Sequence, residues 1–172
     1  RPVYAFVFRR ATKLVTVSQF KQKQLHRYNQ KVECIPNGCS VPEDHASRND
    51  DPAEKPRTIL MVGNIDQRKY ALALALFKSL SRTVDLRIDI YGHRVDKRLA
   101  NRLTEFPFVR LKGFVPNVPY SEYRLLLHTS FTESFGMVFC EAIAQGVPIL
   151  TFEGSGASEL IGPENGRLVA RK

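Results

Sequence analysis

The second half of the chain alternates apolar and polar stretches in a pattern that predicts strands separated by helices. Residues 58–62 form an unbroken apolar run that ends at Gly63, which is typical of a parallel strand buried on both faces. Residues 84–90 alternate apolar and charged positions with a period of two, which predicts a strand with one wet face. Four further strands are predicted, at residues 108–111, 127–130, 147–152 and 166–169.

Helices are predicted between these strands. The Ala-Leu repeat within residues 69–82 fits either an alternating strand or a helix, but Ala, Leu and Lys favour a helix. Its expected apolar stripe is Leu72, Leu76 and Leu80. A polar helix is predicted at 94–104, and short helical segments at 121–126 and 158–161. The alternation predicts an α/β fold, a Rossmann-like, mostly parallel sheet with helices on both faces. Ligands bind such sheets beyond the carboxyl ends of the strands.

Residues 131–148 contain the helix with the most unusual composition. The segment opens as a polar turn, continues as an apolar helical pattern, and meets Gly146 and then Pro148, which are helix-stop signals. A helix of about three turns is therefore predicted to begin near Phe135. Glu141 lies within its apolar pattern, where a carboxylate is costly unless a partner pairs with it.

The start of this helix combines groups that suit a nucleotide sugar. Its first turn leaves backbone amides unpaired, an anion site formed by Phe135, Gly136 and Met137. Glu133 precedes this turn, and Glu141 shares one helix face with Met137, so two carboxylates are available for hydroxyl groups. A plainer interpretation makes Glu133 a charge favoured by the helix dipole and lets Glu141 reach solvent along a narrow polar stripe. The combination of both carboxylates around Ser134 favours the binding site.

These residues carry a family resemblance. Glu133 and Glu141 have a Glu-x7-Glu spacing, with Phe-Gly after the first Glu and Glu-Ala-x-Ala-x-Gly-x-Pro from the second. The pattern resembles the donor-site motif of retaining glycosyltransferases of family 4, which have the GT-B fold. The resemblance implies a transferase that uses a UDP- or GDP-sugar donor, retains the anomeric configuration and needs no metal or other cofactor. It further implies that Glu133 contacts the donor sugar, Glu141 the ribose, and the amides after Ser134 the diphosphate.

Other candidate binding residues follow predicted strand ends. Lys69 can reach a phosphate as a point charge with Arg68 beside it, although a solvent-facing basic helix start is the alternative. The family usually has Gly-Arg at positions 63–64 and Lys-Gly at 69–70. Asn64 and Tyr70 stand here instead, so the diphosphate has one cation fewer.

Four more positions are interpreted, the first two of them through the same resemblance. Val115 corresponds to the residue whose backbone meets the nucleobase, with a plain strand end as the alternative. Gly92 corresponds to the first Gly of the family's Gly-x-Gly, which is Gly-His in this chain. His128 lies on an apolar strand and is interpreted as a packing residue, and Glu159 is interpreted as structural.

The first 39 residues are predicted to be a remnant of the N-terminal acceptor domain. Strands at 14–17 and 32–35 flank a helix at 19–28 that Ser18 caps. Residues 2–10 favour a strand by propensity, but the resemblance implies a helix, and we predict the helix.

Two further segments complete the predicted organisation. Residues 40–57 are poor in apolar side chains and are predicted to be the interdomain linker. Residues 58–172 are predicted to be the donor nucleotide-sugar-binding domain, truncated at its C-terminus. A piece without most of its acceptor domain is expected to bind a nucleotide diphosphate weakly and to transfer nothing.

Charge and cysteine content add partners and a compartment. The net charge is +9, and residues 1–40 hold eight Lys or Arg against one Glu. Such a cluster suits an anionic membrane surface, a phosphorylated substrate or nucleic acid, or it is simply a solvated helix face. No nucleic-acid-binding motif accompanies it, so we expect no nucleic acid partner. Three cysteines without metal-binding spacing predict reduced thiols in a cytoplasmic protein. The basic cluster adds the expectation that the protein is peripheral on the inner face of the membrane.

The expected partners are a nucleotide sugar donor and a carbohydrate or lipid-linked acceptor. Two other classes stay open. One is a noncatalytic nucleotide-sugar-binding or docking module, which the change at Asn64 favours. The other is a basic membrane-surface-binding domain that uses residues 1–31. A sugar-nucleotide epimerase fits the Phe-Gly-Met-Val context less well than a transferase.

Overall fold

The computed structural model describes residues 2–39, 56–80 and 85–170. Its helices are α1 (Pro2–Arg10), α2 (Gln19–Leu25), α3 (Gln67–Leu80), α4 (Lys97–Thr104) and α5 (Met137–Ala144), with 3-10 helices at Tyr120–Glu122 and Ala157–Leu160. Its strands are β1 (Leu14–Thr16), β2 (Val32–Cys34), β3 (Thr58–Val62), β4 (Arg87–Tyr91), β5 (Val109–Gly113), β6 (Leu125–Leu127), β7 (Ile149–Phe152) and β8 (Gly166–Val169).

The strands form two sheets, and every pairing in them is parallel. β1 and β2 make a two-stranded sheet with Leu14 opposite Val32. The other six strands make a second sheet in the order β5-β4-β3-β6-β7-β8. The strand order reverses between β3 and β6, which is the switch point where ligands bind in sheets of this kind. The predicted Rossmann-like α/β fold is confirmed.

Helices cover the larger sheet on both faces and give it two apolar cores. On one face α3 and α4 bury side chains such as Phe77 and Leu103, both 0% exposed, against Ile88 and Ile90 of β4. On the other face α5 and the two 3-10 helices pack around Phe139. The sheet is therefore buried on both sides near the switch point.

One burial prediction was wrong, and a second was correct only in part. The strand expected to have a wet face is buried along β4, and Asp89 is only 7% exposed because the Tyr123 hydroxyl, 3.0 Å away, donates to its carboxylate. The expected leucine stripe of α3 is half-buried, and its Leu76 and Leu80 pack at the edge of the core. The residues that α3 buries are Tyr70, Ala73, Leu74 and Phe77.

Several element boundaries also differ from the prediction. The helix expected at 121–126 is only the 3-10 turn at Tyr120–Glu122, because Leu125–Leu127 pairs between β3 and β7 as β6. The strand therefore ends before residues 128–130, which turn into the site. The helix predicted for residues 2–10 is confirmed as α1. Most of the linker predicted at 40–57 lies outside the described residues, and the domain division stays a prediction.

One carboxylate joins the small sheet's helix to the large sheet. The Gln19 amide donates to Glu159 at 2.9 Å, and the neighbouring Phe20 amide donates to the same carboxylate, so Glu159 occupies the N-terminus of α2. Gly156 lies against the same junction, where an added Cβ would come within 1.8 Å of the Ser134 carbonyl oxygen. The structural interpretation of Glu159 fits this contact. Within the described segments, no helix has both the length and the apolar character needed to cross a bilayer.

Candidate functional site

The carboxyl ends of β3, β4 and β5 lie side by side at one edge of the sheet, and a glycine occurs at each of them. The Gly63 amide donates to the Tyr91 carbonyl at 2.9 Å, and the Gly92 amide donates to the Gly113 carbonyl at 2.8 Å. Gly92 has a φ of 147°, and a Cβ there would lie 2.1 Å from the Gly63 carbonyl oxygen. Only glycine allows the two loops to approach this closely. Gly92 therefore lies at the predicted edge, and Val115 follows the end of β5 at half-buried depth.

Lys69 points into this edge from the first turn of α3. Asp66 accepts a hydrogen bond from the Lys69 amide at 3.1 Å, and the Thr129 hydroxyl donates to the Lys69 carbonyl at 2.5 Å. The Lys69 ammonium lies 3.6 Å from Glu133 Oε2, and its side chain is only 25% exposed. The backbone of Lys69 is held by Asp66 and Thr129, and its ammonium group pairs with Glu133. The side chain therefore does not face solvent, as the alternative interpretation required.

The neighbouring predicted residues are arranged differently. Arg68 is 79% exposed and pairs with Asp66 at 3.4 Å, and no described contact joins it to Lys69 or Glu133. Asn64 is exposed at the loop surface. A cation at position 69 is thus inside the site, whereas the guanidinium at position 68 lies outside it in this conformation.

The loop before α5 supplies the unpaired amides. Gly136 has the left-handed φ of 86° and precedes the helix without any side-chain cap. Its carbonyl accepts from the Phe139 and Cys140 amides, and the described hydrogen bonds give the amides of Gly136, Met137 and Val138 no acceptor. α5 begins at Met137, two residues later than predicted, so the unpaired amides of the anion site extend to Val138.

The side chains around this turn have separate positions. Phe135 is 7% exposed and anchors the loop in the core, whereas Met137 is 39% exposed. The Ser134 amide donates to its neighbour Glu133 at 3.2 Å. Residues 134–137 therefore present their backbone to the site, and the buried ring of Phe135 anchors this loop in the core.

Glu133 lies between two basic side chains. Its Oε2 is 3.6 Å from Lys69 Nζ and 3.9 Å from His128 Nε2, and its side chain is 23% exposed. Its carbonyl accepts from the Gly156 amide at 2.9 Å, which fixes the backbone of the loop. A carboxylate in this position does more than offset a helix dipole, since it has a defined cationic partner across the strand ends.

Glu141 has the partner that its burial requires. The Tyr120 hydroxyl donates to Glu141 Oε2 at 2.5 Å, and Tyr120 itself is 2% exposed. Burial, followed by this hydrogen bond, raises the pKa of Tyr120 far above its ordinary value, so the phenol stays a donor at any working pH. One oxygen of Glu141 is held, and the other is available to a hydroxyl group. Sequence reasoning missed Tyr120, since a tyrosine in a polar turn carries no signal of its partner.

His128 is the residue that sequence reasoning interpreted incompletely. It packs, with its ring edge-on to Phe139 at 5.0 Å between centroids, but it also faces Glu133. Its Nδ1 is 3.4 Å from the Thr151 hydroxyl, and its buried Nε2 has no hydrogen-bond partner. Burial, with Lys69 adding to it and Glu133 opposing it, lowers the pKa of His128 to about 4.

A cleft of about 770 Å³ adjoins the site at Ser134. Its other walls come from α1, β1 and α2, with aromatic rings from Tyr4, Phe8 and Tyr28 and cationic groups from Lys21 and Arg27. Over the part of the chain that the structure describes, no group of three or more His, Cys, Asp or Glu side chains has an arrangement able to hold a metal ion. The absence of a metal requirement stays a prediction.

A six-stranded parallel sheet with Lys69, Glu133 and unpaired amides near its switch point has the arrangement in which doubly wound α/β proteins bind ligands. Residues 43–172 match the family Glycosyl transferases group 1, and the chain belongs to this family.

Curated relatives are similar over most of this chain. The GtfA subunit of UDP-N-acetylglucosamine–peptide N-acetylglucosaminyltransferase from Streptococcus pneumoniae is 28% identical over 143 residues, which are 77% of this chain and 27% of the relative. GDP-mannose-dependent alpha-mannosyltransferase from Mycolicibacterium smegmatis is 27% identical over 142 residues, which are 81% of this chain and 37% of the relative. The chain thus spans well under half the length of these relatives.

Solved structures share the fold. Anabaena HepE in complex with UDP-glucose superposes with a TM-score of 0.79 at 20% identity, over 98% of this chain and 53% of that one. TarM superposes with a TM-score of 0.81 at 16% identity, over 99% and 36%. Pneumococcal GtfA in complex with UDP and GlcNAc superposes with a TM-score of 0.73 at 22% identity, over 100% and 37%.

Proposed function

We propose that this chain is the donor-binding part of a glycosyltransferase that transfers a sugar from a nucleotide-diphosphate sugar and retains its configuration, as family-4 enzymes do. The observation that carries the proposal is the contact between Lys69 and Glu133 at the switch point of the sheet, on the loop that leads into the unpaired amides at the start of α5. A diphosphate needs hydrogen-bond donors and cations, and a sugar needs hydrogen-bond acceptors such as carboxylates. Both sets occur here, on the first turn of α3 and on the loop and helix of α5.

Each group has a role in this proposal. The amides of residues 136–138 and the Lys69 ammonium hold the diphosphate and stabilise its charge as it leaves the sugar. Glu133 accepts hydrogen bonds from hydroxyls of the donor sugar. Glu141, held by Tyr120, accepts from the ribose hydroxyls. We propose that the backbone at Val115 borders the nucleobase, and that Arg68 reaches the diphosphate only if its exposed side chain leaves Asp66.

The free protein already contains a competitor for the cation. Lys69 and Glu133 form an ion pair at 3.6 Å, and the two side chains are about one quarter exposed. A diphosphate carries more charge than a carboxylate, so Lys69 exchanges partners when the donor binds, and Glu133 is then free for the sugar. We therefore expect diphosphate and sugar to be bound in a coupled manner.

For the nucleotide of the donor we rely on similar proteins, and for the acceptor we propose only a chemical class and a route of entry. UDP is the favoured nucleotide, since Anabaena HepE and pneumococcal GtfA have been solved with UDP or UDP-glucose, while the similar mannosyltransferase uses GDP-mannose. We propose that a carbohydrate or lipid-linked acceptor enters by the aromatic and basic cleft beside Ser134. Attachment to an anionic membrane surface stays a prediction, which liposome binding at increasing salt would test.

Isothermal titration calorimetry tests the proposed donor site. The chain is titrated with UDP, GDP and ADP and with UDP-glucose, UDP-GlcNAc and GDP-mannose, and so are Glu141→Ala and the exposed-carboxylate control Glu153→Ala. We expect nucleotides of one base to bind the wild-type chain. Glu141→Ala should lose this binding, and the control Glu153→Ala should keep it. Equal binding by both variants would contradict the proposed ribose contact.

Activity is tested separately. If a donor is hydrolysed or transferred, proton NMR of the product gives the anomeric configuration, and inversion would contradict the proposed retention. The chain by itself is expected to transfer no sugar, and detectable transfer would make that prediction wrong. Binding without transfer by the full-length protein would instead support the noncatalytic module that the change at Asn64 favours.

A further inference from the structure

We propose that His128 is a positioning residue of the donor site. Its neutral imidazole carries the proton on Nε2 and donates a hydrogen bond to Glu133, and this bond orients the Glu133 carboxylate toward the donor sugar. This inference rests on the proposed function and adds a residue to it. The observation behind it is a buried nitrogen without a partner that faces the site. His128 is 5% exposed, its Nε2 makes no hydrogen bond, and the atom in front of it is Glu133 Oε2, 3.9 Å away.

The surroundings of the ring select the tautomer. Thr151, 3% exposed, places its hydroxyl 3.4 Å from Nδ1. If the hydroxyl donates to Nδ1, the single ring proton is on Nε2 and points at a carboxylate. With the opposite tautomer an Nε2 lone pair would face the Glu133 oxygen, which repels it. The first arrangement satisfies both nitrogens, and it is the one that a buried polar group requires.

The ring acts as a donor and not as a charge. Burial lowers the pKa of His128 to about 4, and the Lys69 ammonium acts in the same direction while Glu133 opposes it. Over the neutral pH range the imidazole therefore has one proton to donate and cannot compete with Lys69 as a cation. The edge-on contact with Phe139 fixes the plane of the ring, so Nε2 has one direction in which to donate.

The distance gives the proposed movement. An N–H···O hydrogen bond has a length of about 2.7–3.2 Å, so Glu133 needs to approach His128 by about 1 Å. Lys69 holds the same Oε2 at 3.6 Å in the free protein. When a diphosphate takes Lys69, Glu133 moves to His128, and its other oxygen faces the sugar. His128 therefore couples diphosphate binding to the orientation of the sugar-binding carboxylate.

Two-bond 1H–15N correlation spectra of the chain test the tautomer directly. We expect the pattern of the Nε2-protonated neutral ring from pH 6 to 8, and a change in the His128 signals in Glu133→Gln but not in Glu153→Gln. An Nδ1-protonated ring, or an imidazole that becomes protonated with an ordinary histidine pKa, would overturn the proposal. This measurement needs no bound nucleotide.

Calorimetry then tests the role in binding. The readout is the gain in affinity of UDP-glucose, UDP-GlcNAc or GDP-mannose over UDP or GDP alone, which isolates the sugar. We expect His128→Leu to reduce this gain about tenfold, so that it weakens the nucleotide sugar more than the free nucleotide. His128→Gln, which places an amide donor near the same point, restores most of the gain. Thr151→Val, which removes the hydroxyl that selects the tautomer, lowers it partly.

The outcomes separate two failures. If no nucleotide sugar binds the wild-type chain, the proposed function is overturned and this inference with it. If a sugar nucleotide binds and His128→Leu keeps the full gain, only the role of His128 is wrong. Equal losses of affinity for the free nucleotide and for the nucleotide sugar in folded His128→Leu would likewise contradict a role in orienting the sugar-binding carboxylate. Circular dichroism of each variant establishes that it is folded.

Discussion

Lowering the pH should destabilise the fold, because the buried His128 resists protonation when the protein is folded. The pKa of folded His128 is lowered to about 4 by burial, against 6.5 ordinarily. Between these values the unfolded chain takes up a proton that the folded chain does not. The stability associated with the neutral ring is therefore fully present above pH 6.5 and is lost as the pH falls toward 4. At about 1.4 kcal/mol per pH unit, the loss at pH 4 is about 3 kcal/mol.

A loss of this size is measurable, since domains of this kind are stable by about 5–15 kcal/mol. The sequence contains no Trp, so urea unfolding is best followed by far-UV circular dichroism, at about pH 7 and pH 4. We expect the wild-type free energy of unfolding to fall by about 3 kcal/mol more than that of His128→Gln over this interval. Other carboxylates titrate in both proteins, and Glu133→Gln accounts for the charge that faces the ring. Equal losses in wild type and His128→Gln would refute a desolvated histidine.

Three further substitutions test separate contacts. Tyr120→Phe removes the donor at 2.5 Å from Glu141 and should weaken nucleotide binding about tenfold in calorimetry, whereas unchanged affinity would separate Tyr120 from the site. Gly156→Ala puts a Cβ 1.8 Å from the Ser134 carbonyl oxygen and should lower the Tm by several degrees or more; an unchanged Tm would show that the junction is loose. Glu159→Gln removes the charge at the start of α2 and should cost about 1 kcal/mol in urea unfolding, with Glu153→Gln as the exposed control; equal values would exclude a capping role.

The sheet and the end of α5 could be predicted because their signals are local. An apolar run such as 58–62 specifies a buried strand, and it is β3 in the structure. Gly146, with its left-handed φ of 66°, follows the last turn of α5 as a helix-stop residue should. The helical form of α1 was predicted only through the family resemblance, because its residues favour a strand by propensity.

The missed features depend on residues far apart in sequence. Asp89 is buried because a tyrosine 34 positions later donates to it, and no pattern within β4 indicates that donor. Glu141 likewise has its partner 21 positions earlier. His128 looks like a packing residue until Thr151 and Glu133 are placed on either side of its ring. The positions of candidate residues at strand ends were predictable, whereas the groups that hold and orient them were not.

We propose above that a nucleotide diphosphate binds to the backbone amides at the start of α5. Backbone 1H–15N spectra of the labelled chain, recorded during titration with UDP and with GDP, test it most directly. We expect the largest shift changes at Gly136, Met137 and Val138, with smaller ones at Lys69 and Glu141, and their loss in Glu141→Ala but not in Glu153→Ala. Changes confined to the basic cleft of α1 and α2, or none at millimolar nucleotide, would contradict the account.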